Sequence, residues 1–86
     1  MVARIPAAGV DAFQRYEAEI LPILAEYGAV VERRLRSGDG CTEVHLIRFP
    51  AASAFVAYRD DARRGAQREL LDASGAEIEL HELHDV

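Results

Sequence analysis

Two strand-like segments closed by a glycine-rich turn, with helical segments on either side, constrain this chain more than any other feature. Ala29–Arg36 and Cys41–Phe49 are rich in Val, Ile, Leu and Thr, and Ser37-Gly38-Asp39-Gly40 lies between them. Gly and Asp tolerate positive φ, so the run reads as a β-hairpin, stopped at its far end by Pro50. Before it, Phe13, Tyr16, Ile20, Ile23, Leu24 and Tyr27 recur at three- and four-residue steps, with Arg15, Glu19 and Glu26 between them. That is the pattern of an amphipathic helix. Asp11 with Gln14 matches a capping box at its start, and Gly28 suits its end. Pro22 removes one helical hydrogen bond and predicts a kink near Ala18–Leu21.

After the hairpin, Ala51–Tyr58 reads as a short helix with Phe55 and Tyr58 facing inward. Asp60 or Asp61 caps a continuation through Ala62, Ala66, Leu70 and Leu71 to Gly75. Met1–Ile5, broken by Pro6, and Ala76–Leu83 read as the remaining strands, and the tail His84-Asp85-Val86 as frayed. Strand, helix, hairpin, helix, strand is a βαββαβ unit: one α+β domain over residues 1–86, ferredoxin-like. Right-handed crossovers put both helices on one face of a four-stranded antiparallel sheet with strand order 4-1-3-2.

At 86 residues, a chain buries only about 60–65% of the surface its unfolded form exposes, so a partner surface would add stability. Its net charge of −5 argues against nucleic acid and against an anionic membrane surface, both of which need a basic face. No apolar run is long enough for a membrane span and no export leader is recognisable. The single cysteine, Cys41, has no second thiol to pair with, which fits a reducing cytoplasm. All ten basic residues are arginine, with no lysine, asparagine or tryptophan, and the bias reads as genomic rather than functional.

Alternation along the strands sorts residues into two faces. Val31, Leu35, Val44, Leu46, Ile78 and Leu80 form an apolar set expected to meet the helices. The other face carries Val30, Glu32, Arg34, Arg36, Cys41, Glu43, His45, Ile47, Phe49, Glu77, Glu79, His81 and Leu83. Its apolar members ask for a second sheet, and its charges can pair across the hairpin. A turn at Gly38-Asp39 opposes Arg34 to Glu43 and Glu32 to His45. A turn at Asp39-Gly40 opposes Arg36 to Glu43 and Arg34 to His45.

Tyr16–Gly28 (YEAEILPILAEYG), the strand end Ile47-Arg48-Phe49-Pro50, and Ala54-Phe55 through Tyr58-Arg59-Asp60 resemble the dimeric α/β barrel superfamily. Small bacterial families of unknown function share this pattern most closely, and proteins of the NIPSNAP type carry a similar run. The resemblance implies a homodimer whose two sheets face each other around a small-molecule cleft. Arg48 stands where related families often carry an acidic residue. Cofactor-free quinone-forming monooxygenases and haem-degrading members rely on Asn and Trp, which this chain lacks, so those two activities are not expected.

Within such a cleft His45 is the residue to watch, because imidazole exchanges a proton near neutral pH. Arg34, Glu32, Glu79, His81 and Phe49 are the expected ligand-lining residues, with no cofactor and no metal. His45 and His81 start about 10 Å apart on a sheet of this order; a joint metal site with Glu79 is imaginable, but His81 and His84 on one strand point to opposite faces. Two readings follow: a binding or purely structural dimeric barrel, or a cofactor-independent enzyme on a small organic acid or polyketide-like molecule. In the second, His45 shuttles the proton and Arg34 holds the anionic group. Arg59, Arg63, Arg64 and Arg68 read as a solvated stripe with local ion pairs.

Overall fold

A computed structural model describes residues 1–86. The chain forms β1 (Val2–Arg4), a 3-10 turn (Ala7–Gly9), α1 (Val10–Glu26), β2 (Val30–Arg36), β3 (Thr42–Arg48), α2 (Ala52–Arg59), α3 (Arg63–Ser74) and β4 (Glu77–Glu79). All strand pairs are antiparallel and the sheet order is β2-β3-β1-β4. This α+β arrangement of a four-stranded sheet and three helices is compatible with the ferredoxin-like topology expected. No helix is long and apolar enough to cross a membrane.

Helix α1 buries Phe13, Tyr16, Ile20, Ile23 and Leu24, and runs on through Pro22. Its start differs from the capping box anticipated. The 3-10 turn leads into it, Gly9 takes the cap position, and Asp11 lies inside the first turn with no side-chain cap. The two later helices meet at Asp61, whose carboxylate accepts from the Arg63 backbone N–H at 2.8 Å and from the Tyr27 hydroxyl at 2.6 Å. This ties the helix junction to the end of α1. Gly75 closes α3 with φ 70°, a left-handed conformation that favours glycine.

The face assignment is where alternation fails. Opposite pairs on the hairpin are Val31 with Ile47, then Arg33 with Leu46, Arg34 with His45, Leu35 with Val44, and Arg36 with Glu43. Glu32 is therefore an extra residue, a β-bulge that shifts the phase of β2 by one position. Beyond it, Arg34 and Arg36 turn toward the helices and Leu35 turns away. On β3 the inward residues are Glu43 and His45, both buried, with Ile47 half-buried behind them, while Leu46 is 43% exposed. Phe49 packs on the helical side, its ring 5.3 Å from Phe55 and 5.9 Å from Tyr58. So Val31 and Ile78 face the helices as expected. Leu35, Val44 and Leu46 do not, and Arg34, Arg36, Glu43, His45, Ile47 and Phe49 leave the face to which alternation assigned them.

The last strand is also shorter than expected. Its only neighbour is β1, and pairing ends where Val2 meets Glu79. Leu80 to Val86 therefore has no ladder to join, and Leu80 and Leu83 are exposed. His81 and Leu83 are not strand residues.

Candidate functional site

The inward row of α1 contains one carboxylate. Glu17 follows Phe13 by four residues and precedes Ile20 by three, so the helix that buries those two buries Glu17 with them. The bulge and the hairpin register bring Glu43 and His45 beneath it, with Arg34 and Arg36 alongside. The imidazole Nε2 lies 2.9 Å from Glu43 Oε1 and 3.1 Å from Glu17 Oε2. Arg34 reaches Glu17 at 3.0 Å and Glu43 at 3.3 Å, and Arg36 reaches Glu43 at 3.0 Å and Glu17 at 3.5 Å. Both carboxylates are sealed from solvent, and both arginines, 39% exposed, form the outer wall. The observed pairs are those of the Asp39-Gly40 turn.

Burial works to raise the Glu43 pKa, but hydrogen bonds from His45 and Arg36 outweigh it and hold the group down at about 2. Burial likewise works to lower the His45 pKa. Its hydrogen bonds to Glu17 and Glu43 win, and the imidazole pKa is raised. Protonated, the ring donates from Nε2 to Glu43, with Glu17 beside it as a second counter-charge, and carries a further N–H at Nδ1. Glu17 Oε2 sits within ion-pair distance of Arg34 and His45, yet no N–H is aimed along it. The ligand atoms of Glu17, Glu43 and His45 lie within 4.8 Å of one another, a spacing that suits a small cation. Two guanidiniums already neutralise those carboxylates, so a cation would have to displace them.

His45 and Glu17 lie in the wall of a crevice of roughly 1270 Å³ between the sheet and the helices. Its apolar lining includes Phe13, Tyr16, Ile20, Phe49, Phe55 and Tyr58. Met1 lies in the wall too, its ammonium donating to the His45 carbonyl at 2.9 Å, and so does the tail from Leu80 to Asp85. A shallower hollow of roughly 320 Å³ beside Arg4 and Cys41 gathers no comparable set of groups.

Four of the residues expected at a site, His45, Glu32, Phe49 and His81, border this one crevice. They do so beneath the sheet and at its rim rather than on the open face. Arg34 stands behind His45, committed to the two carboxylates. Glu79 lies on the open face, paired with Arg4 at 2.6 Å and near His81 at 3.4 Å. Glu32 is ion-paired with Arg48 at the crevice rim. Sequence reasoning missed Glu17, Tyr16, Tyr58 and Arg64 as site residues. The signal for Glu17 was its place in the apolar row of its helix. No family model, curated protein or solved structure matches the chain, so the functional reading rests on this geometry.

Proposed function

We propose that the chain is a small-molecule-binding domain that takes an apolar ligand carrying a hydrogen-bond acceptor into the crevice under its sheet. A second copy then packs on its open sheet face, as in a dimeric α/β barrel. One observation carries the first half: a crevice of roughly 1270 Å³, mostly apolar, with His45 in its wall, an imidazole hydrogen-bonded within the chain through Nε2 alone. Ligand pockets run about 300–1,000 Å³ and combine apolar walls with a few placed polar groups. This crevice is wider because it is open to solvent on one side.

The same imidazole supports the enzymatic alternative, in which His45 moves a proton. A raised pKa keeps the second proton on the ring to higher pH and so favours a donor over a base. Donation to a bound carbonyl or hydroxyl oxygen is therefore the role favoured for His45. The dimer is supported by the open face, where Val30, Leu35 and Leu46 are 57%, 46% and 43% exposed and Val2 and Val44 lie between them. A stable interface buries about 800 Å² per partner, and a molecule 35 × 33 × 17 Å across has a broad face of ample size.

Titration with the neutral fluorophore N-phenyl-1-naphthylamine, followed by imidazole nitrogen-15 NMR, tests the binding site. The expected result is saturable binding of one probe per chain with a shift of the His45 Nδ1 resonance. Binding that leaves the His45 ring unmoved, or no saturable binding, overturns the reading.

A further inference from the structure

Three arginines border the crevice, and two of them are spoken for. Arg48 pairs with Glu32 and Arg59 with Asp60 at 3.6 Å. Arg64, in the first turn of α3, has no carboxylate partner. Its guanidinium carbon stands 4.6 Å from the centre of the Tyr58 ring, and its Nε is sealed from solvent without a hydrogen bond. A buried N–H left without an acceptor is unfavourable, so this edge of the guanidinium is poised to donate to an oxygen. The hydroxyls around it are also free. Of the three tyrosines only Tyr27 spends its hydroxyl on an intrachain partner, Asp61. Tyr58 and Tyr16 both line the crevice, close enough that the phenol of Tyr16 acts on that of Tyr58.

We infer that Arg64 is the anchor for a carboxylate, and that the crevice takes a small apolar organic acid. The inference rests on the crevice being the ligand site, and it names the class of ligand. The planar fork of a guanidinium matches a carboxylate edge with two parallel N–H bonds, and a ring stacked beneath the fork holds it in place. The acidic residues in the wall do not oppose this. Glu17 is neutralised by Arg34, Arg36 and His45, and Glu32 by Arg48. Glu82 and Asp85 belong to the exposed tail. Gln67 Oε1, one turn further along α3, is also buried without a partner, but Gln67 lies outside the crevice wall. The anionic role once expected of Arg34 thus passes to an arginine that its helix holds ready, since Arg34 is consumed by the buried carboxylates.

Two matched pairs of probes test the inference: 2-naphthoate against 2-naphthamide, and decanoate against decanol. The intact chain should bind each acid about tenfold or more tightly than its neutral partner. Arg64→Gln should abolish that preference and leave the neutral compounds unchanged. Arg64→Lys, which keeps the charge without the fork, should restore part of it. Melting curves of both variants, within a few degrees of the parent, show that the fold is retained. Equal binding of acid and neutral probe, or a preference that survives Arg64→Gln, overturns the carboxylate anchor while the crevice reading stands. Failure of all four probes to bind overturns the crevice reading and the anchor with it.

Discussion

Glu43 makes no contact with water, yet it is held charged by Arg36, Arg34 and His45. Replacing it with glutamine strips two guanidiniums and an imidazole of their shared counter-charge. Removing one partner from a buried ionic cluster costs about 3–5 kcal/mol, and the half-exposed arginines can recover some of that in water. Glu43→Gln should therefore lose about 3 kcal/mol in urea unfolding, and a loss below about 1 kcal/mol would show that the cluster contributes little. The same groups set a pH window. Glu43 falls from an ordinary 4.5 to about 2 on folding, so its contribution is complete above about 4.5 and is lost as the pH drops toward 2. His45, faced by Glu17 from α1, Glu43 from its own strand and Arg34 and Arg36 from β2, is raised above its ordinary 6.5. Its contribution is complete below 6.5 and fades as the pH rises through the folded value. Melting temperature should be greatest between those limits, and His45→Gln should flatten the alkaline side. An alkaline decline that persists in that variant would sink the assignment. His45 and its charged neighbours on the hairpin were legible in the sequence as a mutually pairing set. Glu17 was not, because a glutamate between tyrosine and alanine on a helix usually faces water, and only the periodicity of its apolar neighbours marks it as inward.

Elements dock on one another at single points of close approach, and Gly9 is the tightest. A Cβ built there would stand 1.8 Å from the Ser74 carbonyl oxygen, so the 3-10 turn can meet the end of α3 only through a glycine. Ser74 is itself buried, its hydroxyl donating to the Leu71 carbonyl at 2.5 Å and accepting from the Ala76 N–H at 3.1 Å. Gly9→Ala should cost about 2 kcal/mol or more by forcing these elements apart. Gly38→Ala, where nothing lies within 4 Å, should stay within about 0.5 kcal/mol. Equal melting of the two variants would refute the docking argument. At this scale the sequence was a good guide wherever punctuation is chemical. Gly28, Gly75 and Pro50 end elements where their backbone preferences demand it. The extent of β4 was not legible, since strand length depends on a neighbour, and β1 stops at Val2.

A slab 17 Å thick is two layers and no more, so whatever the helices leave uncovered stays uncovered. The open sheet face keeps Val30, Leu35 and Leu46 in contact with water. If a second copy covers them, Leu46→Glu should convert the dimer to monomer in sedimentation equilibrium while the melting curve of the monomer stays cooperative. A parent chain that sediments as a monomer at about 100 µM would rule out a stable dimer of the usual size. From the sequence one sheet face is expected to need a partner, and the residues that compose the open face differ from those expected. That difference traces to one residue. Alternation is a counting argument, and Glu32 adds one to the count without leaving a mark in hydrophobicity.

The bulge at Glu32 is a spot where one strand carries a residue more than the strand it pairs with. Glu32 is an exposed residue, and Glu32→Ala keeps the number of residues, so the variant should keep the parental melting temperature. Deleting Glu32 removes the surplus and leaves Arg33 opposite Leu46, Arg34 opposite His45 and Leu35 opposite Val44, as they stand with it present. Arg34 and Arg36 would keep their places against Glu17 and Glu43, so the deletion should retain cooperative melting at neutral pH, and loss of that transition would refute the bulge. A spare residue can be removed as well as replaced, and substitution scans, which keep the spacing, would pass over it.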